Sequence, residues 1–140
     1  MRKSINVIIL TLCTLITICV FNGFAQESET EKCRAFLGKY GWEVAENPFD
    51  SADVIIPEVF DEVYKSYNII QQEAGLDLTA YKGKKGKRYT YEVLNYPLDV
   101  GETVYANVVC ISGEPCAVDI MTVSVIGFMH YLMMPQKAAK

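Results

Sequence analysis

Lys82, Lys84, Lys85, Lys87 and Arg88, spaced by Gly83 and Gly86, concentrate positive charge on a chain of formal net charge −4. Cationic side chains on a glycine-punctuated segment can meet an array of phosphates or carboxylates, such as an anionic lipid surface or wall polymer. The same residues also read as a solvated connection into the strand that follows. Their order is not that of a nucleotide-binding loop, which ends in Gly-Lys followed by Ser or Thr.

Cys110 and Cys116 flank a Ser112-Gly113 turn signal. A three-residue loop would set them opposite each other, ready for a cross-strand disulfide. A two-residue turn would put them out of register and on opposite faces, as buried or free thiols. His130 is the only histidine, so a zinc site built from Cys110, Cys116, Asp119 and His130, or a cysteine nucleophile with His130 as base, depends on it alone. The two cysteines lack the two- to four-residue gap of a zinc motif. The expected role of His130 is therefore a histidine near the end of the last strand, and no catalytic residue, metal or cofactor is expected. Glu58, Asp61 and Glu62 suit the start of a helix, where negative charge complements the dipole. Tyr89, Tyr91, Tyr96 and Tyr105 either form an aromatic face for sugars or peptides or, as strand tyrosines commonly do, pack beneath a helix.

The elements that must position these residues follow from periodicity. Ser28 stands three residues before Glu31 at capping-box spacing, and Cys33, Phe36, Leu37 and Tyr40 recur at helical intervals before Gly41. A short amphipathic helix is expected there. Asp53 to Ile56 is extended, held out of helix by Pro57. Val59, Phe60, Val63, Tyr64, Tyr67, Ile70 and Ala74 then predict a long helix over 58–74, its stripe interrupted by Gln71. Lys87 to Tyr96 alternates, with Tyr89, Tyr91 and Val93 on one face against Arg88, Thr90 and Glu92 on the other. Thr103 to Ile111 and Ala117 to Val125 are β-branched runs joined by the Ser112-Gly113 turn. The expected fold is α+β: one short and one long amphipathic helix packed on one face of a three- to five-stranded antiparallel sheet.

Residues 1–25 carry an address. Arg2 and Lys3 precede an apolar run from Ile5 to Phe21, and Gly23 and Ala25 place small residues where a signal peptidase reads, so cleavage after Ala25 is expected. The alternative is a retained membrane anchor over Ile5 to Phe21, at the short end of what spans a bilayer. The remaining organisation reads as a tether over 26–31, a single α+β domain over 32–134 and a tail over 135–140. Loss of Arg2 and Lys3 takes 13 basic residues to 11 against 17 acidic ones, a net charge of −6. So acidic a domain is a poor nucleic-acid binder. Cys13 and Cys19 would leave with the signal, and the odd count of Cys33, Cys110 and Cys116 is not the framework of a disulfide-stapled mini-protein.

Taken together, Tyr40-Gly41-Trp42-Glu43-Val44, Ile56-Pro57-Glu58 with Phe60-Asp61, Tyr67-Asn68 with Gln71, Gly75-Leu76-Asp77-Leu78 and Tyr81-Lys82-Gly83-Lys84 form a recognisable series. It continues through Arg88 to Tyr96, Ser112-Gly113, Asp119-Ile120 and Gly127-Phe128-Met129-His130. The series resembles the bacterial domain of unknown function 4830 family. The resemblance implies an exported or membrane-tethered bacterial protein with no assigned activity, and no catalytic residues are carried over. The chain departs from such sequences at Pro115, Cys116 and Ala117, where an apolar residue followed by small glycines is usual.

These readings favour a non-catalytic binding or accessory module at the cell surface, whose partner is an anionic wall polymer, a lipid or an envelope protein. The other classes are an extracytoplasmic hydrolase-like enzyme and a structural subunit of an envelope complex. Intact-mass analysis of protein from native cells is expected to give a mature N-terminus at Gln26, outside the cytoplasm. A mass that includes Met1 to Ala25, found in the membrane fraction, would support the anchor instead.

Overall fold

The computed structural model describes residues 27–124 and 126–135. The signal or anchor over 1–25 and nearly all of the tail lie outside the described residues. Helix α1 (Glu29–Gly38) starts where the capping box places it: the Ser28 hydroxyl accepts the Glu31 N–H and the Glu31 carboxylate accepts the Ser28 N–H. The helix thus begins inside the segment read as a tether. After strand β1 (Asp50–Ile55), helix α2 (Glu62–Glu73) starts later than its periodicity suggests, because the Asp61 carboxylate accepts the Tyr64 N–H and serves as N-cap. A 3₁₀ turn (Leu78–Tyr81) leads into strands β2 (Lys85–Glu92), β3 (Tyr105–Ile111), β4 (Glu114–Met121) and β5 (Met129–His130).

The strands form one antiparallel sheet in the order β1-β2-β3-β4-β5, so every neighbour in space is a neighbour in sequence. The β3–β4 turn is the tight two-residue form: Ser112 (φ 54°) and Gly113 (φ 81°) are both left-handed, and Ile111 pairs with Glu114. This twist matches that of the flanking strands. The departure at Pro115 to Ala117 leaves the turn intact and appears instead as a bulge, with Cys110 opposite Pro115 but Val109 opposite Ala117.

Strands β3 and β4 are buried along nearly their whole length, so both faces of the sheet must be covered. On one face Tyr89, Tyr91, Ala106, Val108, Val118 and Ile120 pack beneath α1, whose Cys33 and Leu37 are fully buried. Burying Leu37 alone contributes about 2 kcal/mol. The Tyr89 hydroxyl donates to the Glu29 carboxylate at 2.6 Å and the Tyr91 hydroxyl to the Thr30 carbonyl at 3.3 Å, which fixes the first turn of α1 over β2. On the other face Val109 and Ala117 pack with Ile56, Phe60 and Leu78, flanked by Tyr64 and Tyr67 of α2.

The two helices therefore do not share one face, which corrects the arrangement expected from the sequence. The reason lies at the edge of β4, where β5 pairs only with Ile120 and Met121. The buried Gln71 side chain accepts the Val118 N–H at 2.7 Å, a hydrogen bond that no neighbouring strand supplies. Asn68, also buried, accepts the Leu78 N–H at 2.7 Å and donates to Asp77. Both fully packed positions of α2 are thus polar, whereas Val59 and Val63 of the anticipated stripe are 82% and 74% exposed. The residue that breaks the apolar pattern is the one that seals the sheet.

Gln71→Leu keeps the volume and removes a buried amide nitrogen that has no partner among the described residues, but it leaves the Val118 N–H unpaired, for a net cost of about 1 kcal/mol. Denaturant unfolding is expected to show this loss together with faster amide exchange at Val118; unchanged values at both would show that the edge is closed by something else.

Candidate functional site

The face beneath α2 carries a polar row that crosses four strands. Asp50, Thr90, Asn107 and Asp119 are successive cross-strand partners in β1, β2, β3 and β4, so all four side chains project from the same face. Thr90 donates to Asn107 Oδ1 at 2.7 Å, Asn107 Nδ2 donates to one Asp119 oxygen at 2.8 Å, and the Tyr67 hydroxyl donates to the other at 2.8 Å. Thr90, Asn107 and Asp119 are buried. Alternation in the sequence placed Thr90 with Arg88 away from the tyrosine face, Asp119 stood out only as a possible zinc ligand and in the family series, and nothing local marked Asn107 within its β-branched run.

An open cleft of about 400 Å³ lies over this row. Val54 and Ile56 of the β1 segment, Val109 and Ala117 form an apolar floor, with Tyr64 and Tyr67 on the α2 side. Phe49 and Tyr105, with ring centroids 5.3 Å apart, stand on the opposite side, and Met121 and Met129 lie near β5. Arg88 also lines the cleft. Its guanidinium reaches Asp50 only at 3.4 Å, and its buried Nε has no hydrogen-bond partner among the described residues. A volume of this size, mostly apolar with a few convergent polar groups, suits a small organic molecule.

The electrostatics of the row are set by burial. Desolvation holds the Asp119 carboxyl above its ordinary value, although the hydrogen bonds from Asn107 and Tyr67 and the nearby Arg88 and His130 favour the charged form. Burial and the facing Asp119 push the Tyr67 phenol well above its ordinary value, so it remains a hydrogen-bond donor. Both Asp119 oxygens are occupied by donors, which leaves this carboxyl poorly placed to exchange a proton with a bound molecule.

The residues singled out by sequence are distributed otherwise. Lys85, Lys87 and Arg88 belong to β2 rather than to a loop, with Lys87 directly opposite Asp53. Lys82 and Lys84 precede the strand, their ammonium groups over the rings of Phe60 and Tyr81 at 4.9 and 5.5 Å. The intervening glycines are required by the backbone: Gly83 has a left-handed φ of +73°, and a Cβ on Gly86 would lie 2.1 Å from the Cys110 carbonyl oxygen. Cys110 packs with the α1-side core, whereas Cys116 packs in the other core cluster. The two-residue turn thus separates the pair onto opposite faces. His130 packs among Trp42, Tyr96 and Phe128, its Nε2 3.1 Å from the Tyr96 hydroxyl, so Cys110, Cys116, Asp119 and His130 do not converge. Tyr89 and Tyr91 lie under α1 and Tyr96 stacks on Trp42, while Tyr105 faces the cleft.

Because the folded carboxyl of Asp119 titrates above its unfolded value, the native state holds that proton through a pH window in which the unfolded chain has lost it. Stability falls as pH rises through this window, by at most ~1.4 kcal/mol per pH unit, and levels off above it. Unfolding measured from acid to neutral pH is expected to show this decline in the parent and its absence in Asp119→Asn. A parent-minus-variant difference that grows with pH would mean that the hydrogen bonds outweigh desolvation.

No curated protein and no solved structure matches the chain. A family model described as "Domain of unknown function (DUF4830)" matches residues 36–114, more than half of the chain, from the last turn of α1 to the start of β4. It includes Arg88, Thr90 and Asn107 and stops short of Asp119. On that match the chain belongs to the DUF4830 family.

Proposed function

We propose that this chain is an exported, non-catalytic binding module that holds a small amphipathic ligand, anionic at one end and apolar along its body, in the cleft over the Asp50-Thr90-Asn107-Asp119 row. The observation that carries this reading is the Arg88 guanidinium, held beside an apolar floor with a buried donor that no described residue satisfies. A carboxylate or phosphate there would complete the donor set in a partly desolvated site, where charge-assisted hydrogen bonds are strongest. The aromatic and methionine walls would bury the body of the ligand.

Binding is favoured over catalysis by the chemistry of the row. Asp119 is saturated by two donors, Tyr67 is held protonated, and the cysteines and His130 do not line the cleft. A hydrolase would need an activated nucleophile or a free acid–base pair at this place. The setting is the cell envelope, reached through the N-terminal signal or held there by the same segment as an anchor. Wall polymer, lipid and envelope proteins are the sources of anionic and apolar groups in that setting. Lys82, Lys84, Lys85 and Lys87 supply a second, salt-sensitive attraction for such partners.

Titration of labelled protein with 2-naphthoate tests the proposal. Saturable NMR shifts are expected at Arg88, Asn107 and Ala117, and Arg88→Met is expected to weaken binding at least about tenfold, the loss of one charged hydrogen bond. Shifts confined to Lys82 to Lys87 and unaffected by Arg88→Met would overturn it.

A further inference from the structure

We propose that Cys33 and Cys110 form a disulfide that fastens helix α1 to the middle of the sheet. Their Sγ atoms lie 3.2 Å apart, and both side chains are fully buried. Each projects from a fixed element: Cys33 from the capped first half of α1, Cys110 from β3 just before its turn. The hydrogen bonds of Tyr89 to Glu29 and Tyr91 to Thr30 hold that part of the helix over the sheet, so the two sulfurs need close by only about 1 Å to reach disulfide length. Cys116 is excluded as a partner because it packs in the opposite core cluster, where burial pushes its thiol up to about 11.

The bond forms by exchange with an oxidised disulfide, either a low-molecular-weight thiol disulfide or that of an oxidoreductase. One cysteine thiolate attacks a sulfur of that disulfide and expels one thiolate, leaving a mixed disulfide. The second cysteine thiolate then attacks the first cysteine's sulfur and releases the other thiol. Each cysteine loses one proton and one electron, and the exchange disulfide is reduced to two thiols. Neither sulfur meets solvent in the folded protein, so the exchange takes place during folding, before α1 closes over the sheet. The cysteines are 77 positions apart, so the link removes far more freedom from the unfolded chain than a bond across the β3–β4 turn would. It does not depend on the cleft.

The full chain, refolded in an oxidising glutathione buffer, is to be blocked with a thiol reagent under denaturing conditions and mapped without reduction. The expected map contains one peptide pair linked through Cys33 and Cys110, with Cys116 blocked. Reduction is expected to lower the thermal midpoint by at least about 10 °C, an effect retained in Cys116→Ser and absent from the Cys33→Ser, Cys110→Ser double variant. Blocked Cys33 and Cys110 in the parent, or a link between Cys110 and Cys116, would overturn the proposal. If the double variant does not fold, the parent's peptide map decides alone.

Discussion

Strands β3 and β4 are buried on both faces, and the rest of the molecule follows from that constraint. An antiparallel sheet with one wet face needs a single cover and shows simple alternation; one buried on both sides needs two covers and a seal along any edge not paired by a strand. Helix α1 supplies the first cover with Cys33 and Leu37. The segment from Ile56 through α2 to Leu78 supplies the second. Gln71 supplies the seal by accepting the Val118 N–H. The apparent flaw in the α2 stripe and the exposure of Val59 and Val63 have the same origin, a helix committed to a polar edge as well as to an apolar face.

The two covers are unequal. Helix α1 lies close on its face, whereas α2 stands toward the β4 side and leaves the middle of the second face open as a cleft. Polar side chains there escape the full cost of burial only by satisfying one another, and the chain from Thr90 through Asn107 and Asp119 to Tyr67 does so. Arg88 is the exception, with a buried donor that the row does not reach. A self-satisfied network holds its geometry without a ligand, while one guanidinium with an unpaired donor beside an apolar floor gives a ligand something to complete.

Features set by near neighbours were legible in the sequence. The Ser28 and Glu31 capping box, the alternation of Tyr89, Tyr91 and Val93, and the Ser112-Gly113 turn each depend on contacts within a few residues, and each appears in the structure. Antiparallel pairing followed from short connections between strands. What distance in sequence conceals is which face each helix takes and which side chains meet. Asn107 and Asp119 become cross-strand partners only once the β3–β4 register is set, and the bulge beyond the turn fixes that register from Ala117 onward. Cys33 and Cys110 are brought together by the docking of α1 alone. The glycines of the basic segment looked like freedom to conform, yet Gly83 holds a left-handed turn and Gly86 is small because the Cys110 carbonyl lies against it.

The central claim, that the open half of the second face is a ligand site organised by Arg88 and the polar row, is tested most directly by intermolecular nuclear Overhauser effects between 2-naphthoate and the side-chain methyl groups of the protein. The account predicts contacts from the naphthalene ring protons to Val109, Ala117 and Met121 at saturating probe. Contacts only to the exposed Val59, Val63 and Ile126, or none at all, would contradict it.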